Sequence, residues 1–217
     1  IGNYLELETS ALCLVASTMV RRVSEYREMF ELRAEINRRA VNLLTAARLF
    51  VDHLPQRYRE CNRDPSEVKT LLNVEYDGHF EYRFMEALRN HVQHSGLAVH
   101  SLGITSRWLP PGQRMWDEHY LTAVAVRSYL AEGASFKAKV LAECPEKIDI
   151  LAGARRYIES LGNVQGHVRR NTADLVANAR QTVADAMDRY VSFSTASPIG
   201  LEARASSGGA NDDESVP

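Results

Sequence analysis

From Thr9 to Leu54 the sequence repeats apolar residues at three- and four-residue steps without a proline, and no other feature restricts the fold as much. Leu12, Val15, Ala16, Met19 and Val23 make one stripe; Ile36, Ala40, Leu43, Leu44, Ala47, Phe50 and Leu54 make a second. Such spacing gathers side chains on one face of an α-helix and scatters them across both faces of a strand. It predicts a first helix from about Thr9 toward Phe30, with Thr9 or Ser10 as N-cap. A second helix, continuous with the first or separate, is expected to stop before Pro55 or one turn later. Long amphipathic helices must cover their apolar faces, which implies a bundle.

The later prolines also fall between patterns. Ser66 is expected to start a short helix over Val68, Leu71 and Leu72, with a break at Asp77-Gly78. Phe80, Phe84, Leu88 and Val92 then predict a helix with that stripe toward the core, stopped at Ser95-Gly96 by a left-handed glycine. From Leu97 to Tyr120 the helical period lapses, and Val99, Ser101, Gly103 and Thr105, followed by Pro110, Pro111 and Gly112, predict an extended or hairpin insert. Leu121 to Glu132 reads as a short helix, or as a strand near Thr122 to Val126. Apolar positions from Ile148 to Met187 predict one long C-terminal helix over about 146–193, weakened by Gly153, Gly162 and Gly166. The polar stretch 194–217 is expected to be a disordered tail. The expected architecture is all-α: a single helical domain over 1–193, with its core at about 32–100 and the insert at about 97–120.

Composition narrows the function classes. A net charge of -2 lacks the global basic footprint of a general nucleic-acid binder, so any RNA contact must be local. Cys13, Cys61 and Cys144 form no C-x-x-C pair, which argues against a zinc site or a disulfide framework and for a reducing, cytoplasmic setting. The longest apolar run, Ala11 to Val20, is shorter than the roughly 20 residues of a membrane span, so no membrane partner is expected. No stretch reads as a targeting segment, and Ile1 in place of methionine leaves room for residues upstream.

The chemistry-bearing segment is Arg89-Asn90-His91-Val92-Gln93-His94, in the last turns of a predicted helix. Cutting RNA without a metal needs a base for the ribose 2′-OH, a cation for the phosphorane-like transition state and an acid for the leaving 5′-oxygen. Histidine exchanges protons near neutrality and arginine grips two phosphate oxygens. Positions five apart lie about 140° apart around a helix, so Arg89 and His94 do not converge from one helix alone. Asn90 and His94, four apart, share a face and are within hydrogen-bonding reach. With 22 arginines (26 basic residues less Lys69, Lys137, Lys139 and Lys147) and seven histidines, chance alone gives roughly one Arg-x4-His. Two further pairs, Arg48/His53 and Arg114/His119, share the spacing.

The segment resembles the Arg-Asn-x-x-x-His signature of the HEPN superfamily, all-helical domains found in prokaryotic ribonuclease toxins and defence proteins and in some non-catalytic partners. Asn90 carries the resemblance, since Leu49 and Met115 follow the other two arginines; Tyr82-Arg83-Phe84, Leu88 and Ser95-Gly96-Leu97 extend it, over chiefly residues 32–100. It implies a HEPN-like bundle and a metal-independent endoribonuclease of a toxin or defence system, without cofactor. Arg89 would stabilise the phosphate, His94 act as general acid/base and Asn90 orient His94, while Arg83, His91 and Gln93 would contact RNA. Because the family pairs two such helices across a dimer and this chain has one full motif, a homodimer is implied, along with a possible antitoxin or other regulatory protein. The competing class is a non-catalytic helical interaction module. Third is a metal-binding sensor built on His91-x-x-His94, for which no Glu-x-x-His or HExxH partner exists. Arg155-Arg156 and Arg169-Arg170 serve either phosphate contact or a solvated face.

Overall fold

The computed structural model describes residues 1–20, 26–94, 96–108, 117–132, 135–194 and 197–200. Two compact units divide the chain, Ile1–Asn171 and Thr172–Pro217, so the span 1–193 expected as one domain is split at Thr172. The first unit is mostly helical. It contains α1 (Gly2–Val20), α2 (Tyr26–Glu60), α3 (Pro65–Gly78), α4 (Phe80–His94), β1 (Ser101–Trp108), β2 (Asp117–Val126), α5 (Arg127–Glu132), α6 (Ala138–Glu143), β3 (Lys147–Asp149) and α7 (Ile150–Asn171). The described part of the second holds α8 (Ala173–Phe193).

The first helix starts at Gly2, seven residues before the expected Thr9 or Ser10 cap, because Leu7, Ala11 and Leu14 at four- and three-residue steps form its buried face. Leu12 and Met19, expected in the core stripe, are exposed. On α2 the expectation holds: Ile36, Ala40, Leu43, Leu44, Ala47 and Leu54 are buried, and the helix runs one turn past Pro55 to Glu60. It ends in a turn at Cys61 and Asn62; Asn62 has φ 54°, the left-handed conformation that asparagine tolerates. α3 starts at Pro65, one residue before the expected Ser66, and Asp64 caps it: the Asp64 carboxylate accepts from Ser66 N at 2.9 Å.

The hairpin expected at 97–120 is present and longer. β1 and β2 pair antiparallel from Ser101↔Val124 to Trp108↔Asp117, and β3, which sequence patterning does not reveal, adds to β2 at Ala125↔Ile148. Leu121, Ala123 and Ala125 turn into the core while their neighbours do not, the two-residue period of a half-covered sheet. The chain is therefore mainly α with a small three-stranded antiparallel sheet, not purely α.

The single helix expected over 146–193 does not form. β3 occupies Lys147–Asp149, and the helical stretch beyond is interrupted at Thr172 (φ -111°, ψ 7°) into α7 and α8. The glycines are not the cause; Gly153 leaves room for Met85, whose Sδ would lie 3.4 Å from a Cβ there. Helix formation weakens instead at Asn171-Thr172, where Asn171 Nδ2 turns to His167 Nε2 at 2.8 Å and Tyr58 OH at 3.2 Å, and Thr172 is β-branched. Of the tail expected at 194–217, residues 195, 196 and 201–217 lie outside the described residues.

Candidate functional site

α4 carries the sequence motif, and its burial pattern decides what each motif residue can touch. Tyr82, Phe84, Met85, Ala87, Leu88 and His91 are buried, while Phe80 and Val92 are only partly so. The core face is thus rotated from the expected Phe80/Phe84/Leu88/Val92 stripe toward Met85 and His91. Aromatic packing fixes the rotation: Tyr82 meets Tyr157 edge-on at 4.9 Å between ring centroids, and Phe84 meets Phe136 at 5.9 Å.

That rotation removes His91 from the surface. Expected to contact RNA, it is 2% exposed, edge-on to the Phe136 ring, with Nδ1 3.4 Å from Ser135 Oγ. Burial holds its pKa below the ordinary histidine value, so the ring is neutral at neutral pH. Gly96 closes over it. A Cβ at Gly96 would collide with Nε2 and lie 3.1 Å from Cε1, so this position needs glycine for close approach; its φ is not in the left-handed region expected from the sequence. With His91 inside and His94 exposed, the pair presents no common face to one metal ion. Among the described residues, no three His, Cys, Asp or Glu side chains gather as a metal-binding group.

Arg83, also expected on the RNA, is engaged by the fold. Its Nη1 donates to the carbonyls of Tyr76 (3.0 Å) and Asp77 (2.8 Å), satisfying the end of α3, and its Nη2 pairs with Glu143 of α6 at 2.6 Å.

Arg89 is half-buried, and Asn90, Gln93 and His94 are exposed. Arg89 Nη1 donates to Asn90 Oδ1 at 2.9 Å, so the amide oxygen expected to orient His94 is turned to the arginine instead. Arg89 Nε is buried without a protein partner. Three cavities, one beside α1, α2 and α7, one beside His100 and one beside Arg83, have no lining from Arg89, Asn90, Gln93 or His94. Near the end of α4 the motif thus combines a half-buried arginine with the exposed side chains of Asn90, Gln93 and His94.

Of the other two Arg-x4-His pairs, one is fully described. Arg48 pairs with Asp52 (2.6 Å) and with Glu86 of α4 (3.1 Å), and His53 is exposed; Arg114 lies outside the described residues, and His119 is half-buried on β2. Glu86 also accepts from the buried Tyr157 OH, and burial followed by the Glu86 charge pushes that phenol well above its ordinary pKa. This Arg48–Glu86–Tyr157 set ties α2, α4 and α7 together one turn before Arg89. Its members are 38 and 71 residues from Glu86 in sequence, so no local spacing signals it.

Behind the motif, α2 grips the connection to β1. Asn37 Nδ2 donates to the carbonyl of Val99 at 2.9 Å and Asn37 Oδ1 accepts from Val99 N at 2.8 Å, while Arg33 Nη1 donates to the carbonyl of His100 at 2.9 Å. His100 Nδ1 accepts from Val126 N at 3.0 Å, which requires its neutral form. Burial foremost, with the Arg33 charge adding to it, lowers its pKa.

Among the described residues, no helix is long and apolar enough to cross a membrane. The chain matches no protein-family model, no curated protein and no solved structure.

Proposed function

We propose that this protein is a HEPN-like, metal-independent endoribonuclease of a toxin or defence system, whose active site is completed by a second copy of the chain. The observation that supports it is the disposition of α4: its last two turns leave Arg89, Asn90, Gln93 and His94 outside the core, while the neighbouring Arg83 and His91 are held within the fold. Arg89 grips the scissile phosphate and balances its developing charge; His94, water-accessible, exchanges the proton. Asn90 holds the guanidinium through its amide oxygen, so its role passes from histidine to arginine. Because Arg89 and His94 point about 140° apart, arginine from one copy and histidine from the other face the same phosphate.

Arg89→Ala and His94→Ala each lower RNA cleavage by at least about a hundredfold, the scale of lost acid/base or electrostatic help, with the dimer intact by light scattering. His53→Ala and His119→Ala leave the rate within about threefold, cleavage survives chelation, and the product carries a 2′,3′-cyclic phosphate or its hydrolysis product. Wild-type activity in His94→Ala, or a folded dimer that cuts no RNA, refutes this reading. A second reading, a non-catalytic interaction module, is favoured by α8: it has no buried residue and exposes Leu175, Val176, Val183, Met187 and Val191. A regulatory protein or antitoxin would dock on such a face.

A further inference from the structure

A cavity of about 520 Å³ opens between the start of α1, the middle of α2 and the second half of α7, remote in sequence from the α4 motif. Its size falls in the range of small-molecule sites, roughly 300–1,000 Å³. Leu43 and Phe50 of α2 face Ile158 and Leu161 of α7 across it, and Phe50 and Ile158 keep part of their apolar surface uncovered. One wall is left open by Gly162, where a Cβ would meet nothing within 4 Å. Glycine in a helix interior lowers stability relative to alanine, and close packing does not require it here; at this position it keeps the space empty.

The polar side chains that line the cavity are Asn3, Gln165 and Arg169. Among the described residues, none forms a hydrogen bond or ion pair with the exposed Arg169 guanidinium. An apolar chamber with an unpaired arginine at its edge is complementary to a molecule with an apolar body and one anionic head. At about 30 Å³ per heavy atom, taken as the volume share of a water molecule, the chamber of about 520 Å³ holds roughly 17 such atoms, room for the whole of a twelve-carbon carboxylate. We infer that this groove binds one medium-chain fatty-acyl carboxylate, its alkyl chain between α2 and α7 and its head at Arg169.

Titration calorimetry with dodecanoate below its micelle concentration tests this on the full chain. Saturable binding of one dodecanoate per chain is expected, with decanoate about 15-fold weaker, the loss for two methylenes. Decanoate binds more tightly than decanol, and Arg169→Gln removes the difference, about threefold for an exposed charge. Gly162→Leu fills the chamber and weakens dodecanoate at least about tenfold without lowering the melting temperature; Ala46→Phe imposes the same block from the α2 wall. Absence of saturable binding, or equal affinity in wild type, Gly162→Leu and Ala46→Phe, overturns the inference. Equal affinity for decanoate and decanol overturns the anionic head.

Discussion

Replacing Asn37 by alanine will destabilise the first unit more than any loss of surface polarity, because Asn37 is the hydrogen-bond partner of a buried peptide that no strand or helix pairs. Val99 is fully buried, yet its N–H and C=O both meet the Asn37 amide, at 2.8 and 2.9 Å, and the same Nδ2 also reaches the Arg33 carbonyl at 3.1 Å. Truncation leaves both Val99 groups without partners. Each unmet buried group costs about 1–3 kcal/mol, and water entering the vacated space recovers part of it. The net is about 3 kcal/mol. For a domain of this size that lowers the melting temperature by about 6–12 °C, at about 2–4 °C per kcal/mol. Urea denaturation gives the free energy; amide hydrogen exchange gives the location, since Val99 N–H should lose protection beyond the global change. Arg33→Ala is the internal comparison: it removes the bond to the part-exposed His100 carbonyl, which water replaces, and costs less than about 1 kcal/mol. A change under about 0.5 kcal/mol in Asn37→Ala, with Val99 still protected, refutes the claim that this amide holds the connection from α4 to β1.

Two further outcomes follow from the packing around His91. Gly96→Ala forces a methyl into the imidazole and costs about 1–3 kcal/mol, the scale of an overpacked site; in a His91→Ala background most of that cost disappears, and additive single-variant effects in denaturation would contradict the contact. His91 and His100 both have folded-state pKa values below the unfolded reference of 6.5, so the unfolded chain binds more protons as acidity rises. Unfolding free energy is therefore highest above about pH 6.5 and falls as the pH is lowered from there toward the folded-state values. Urea titrations at pH 7.5, 6.5 and 5.5 read the slope, and stability that rises on acidification contradicts it.

Elements whose signals are local could be read before any packing was known. The α2 stripe, the hairpin and the helix bearing Arg89 and His94 follow from backbone periodicity and turn chemistry, which act within a few residues. Which side of each helix is covered depends on the elements packed against it. Leu12 and Met19 belong to as good a stripe as Leu7 and Leu14, and His91 is no less polar than His94; the neighbours packed against each helix separate the buried from the exposed. The same holds for Asn37 beneath Val99, the pairing of Glu86 with Arg48 and Tyr157, and the short β3 that borrows its partner from β2. These contacts join residues dozens of positions apart, and their energy exists only once the chain has closed the loops between them.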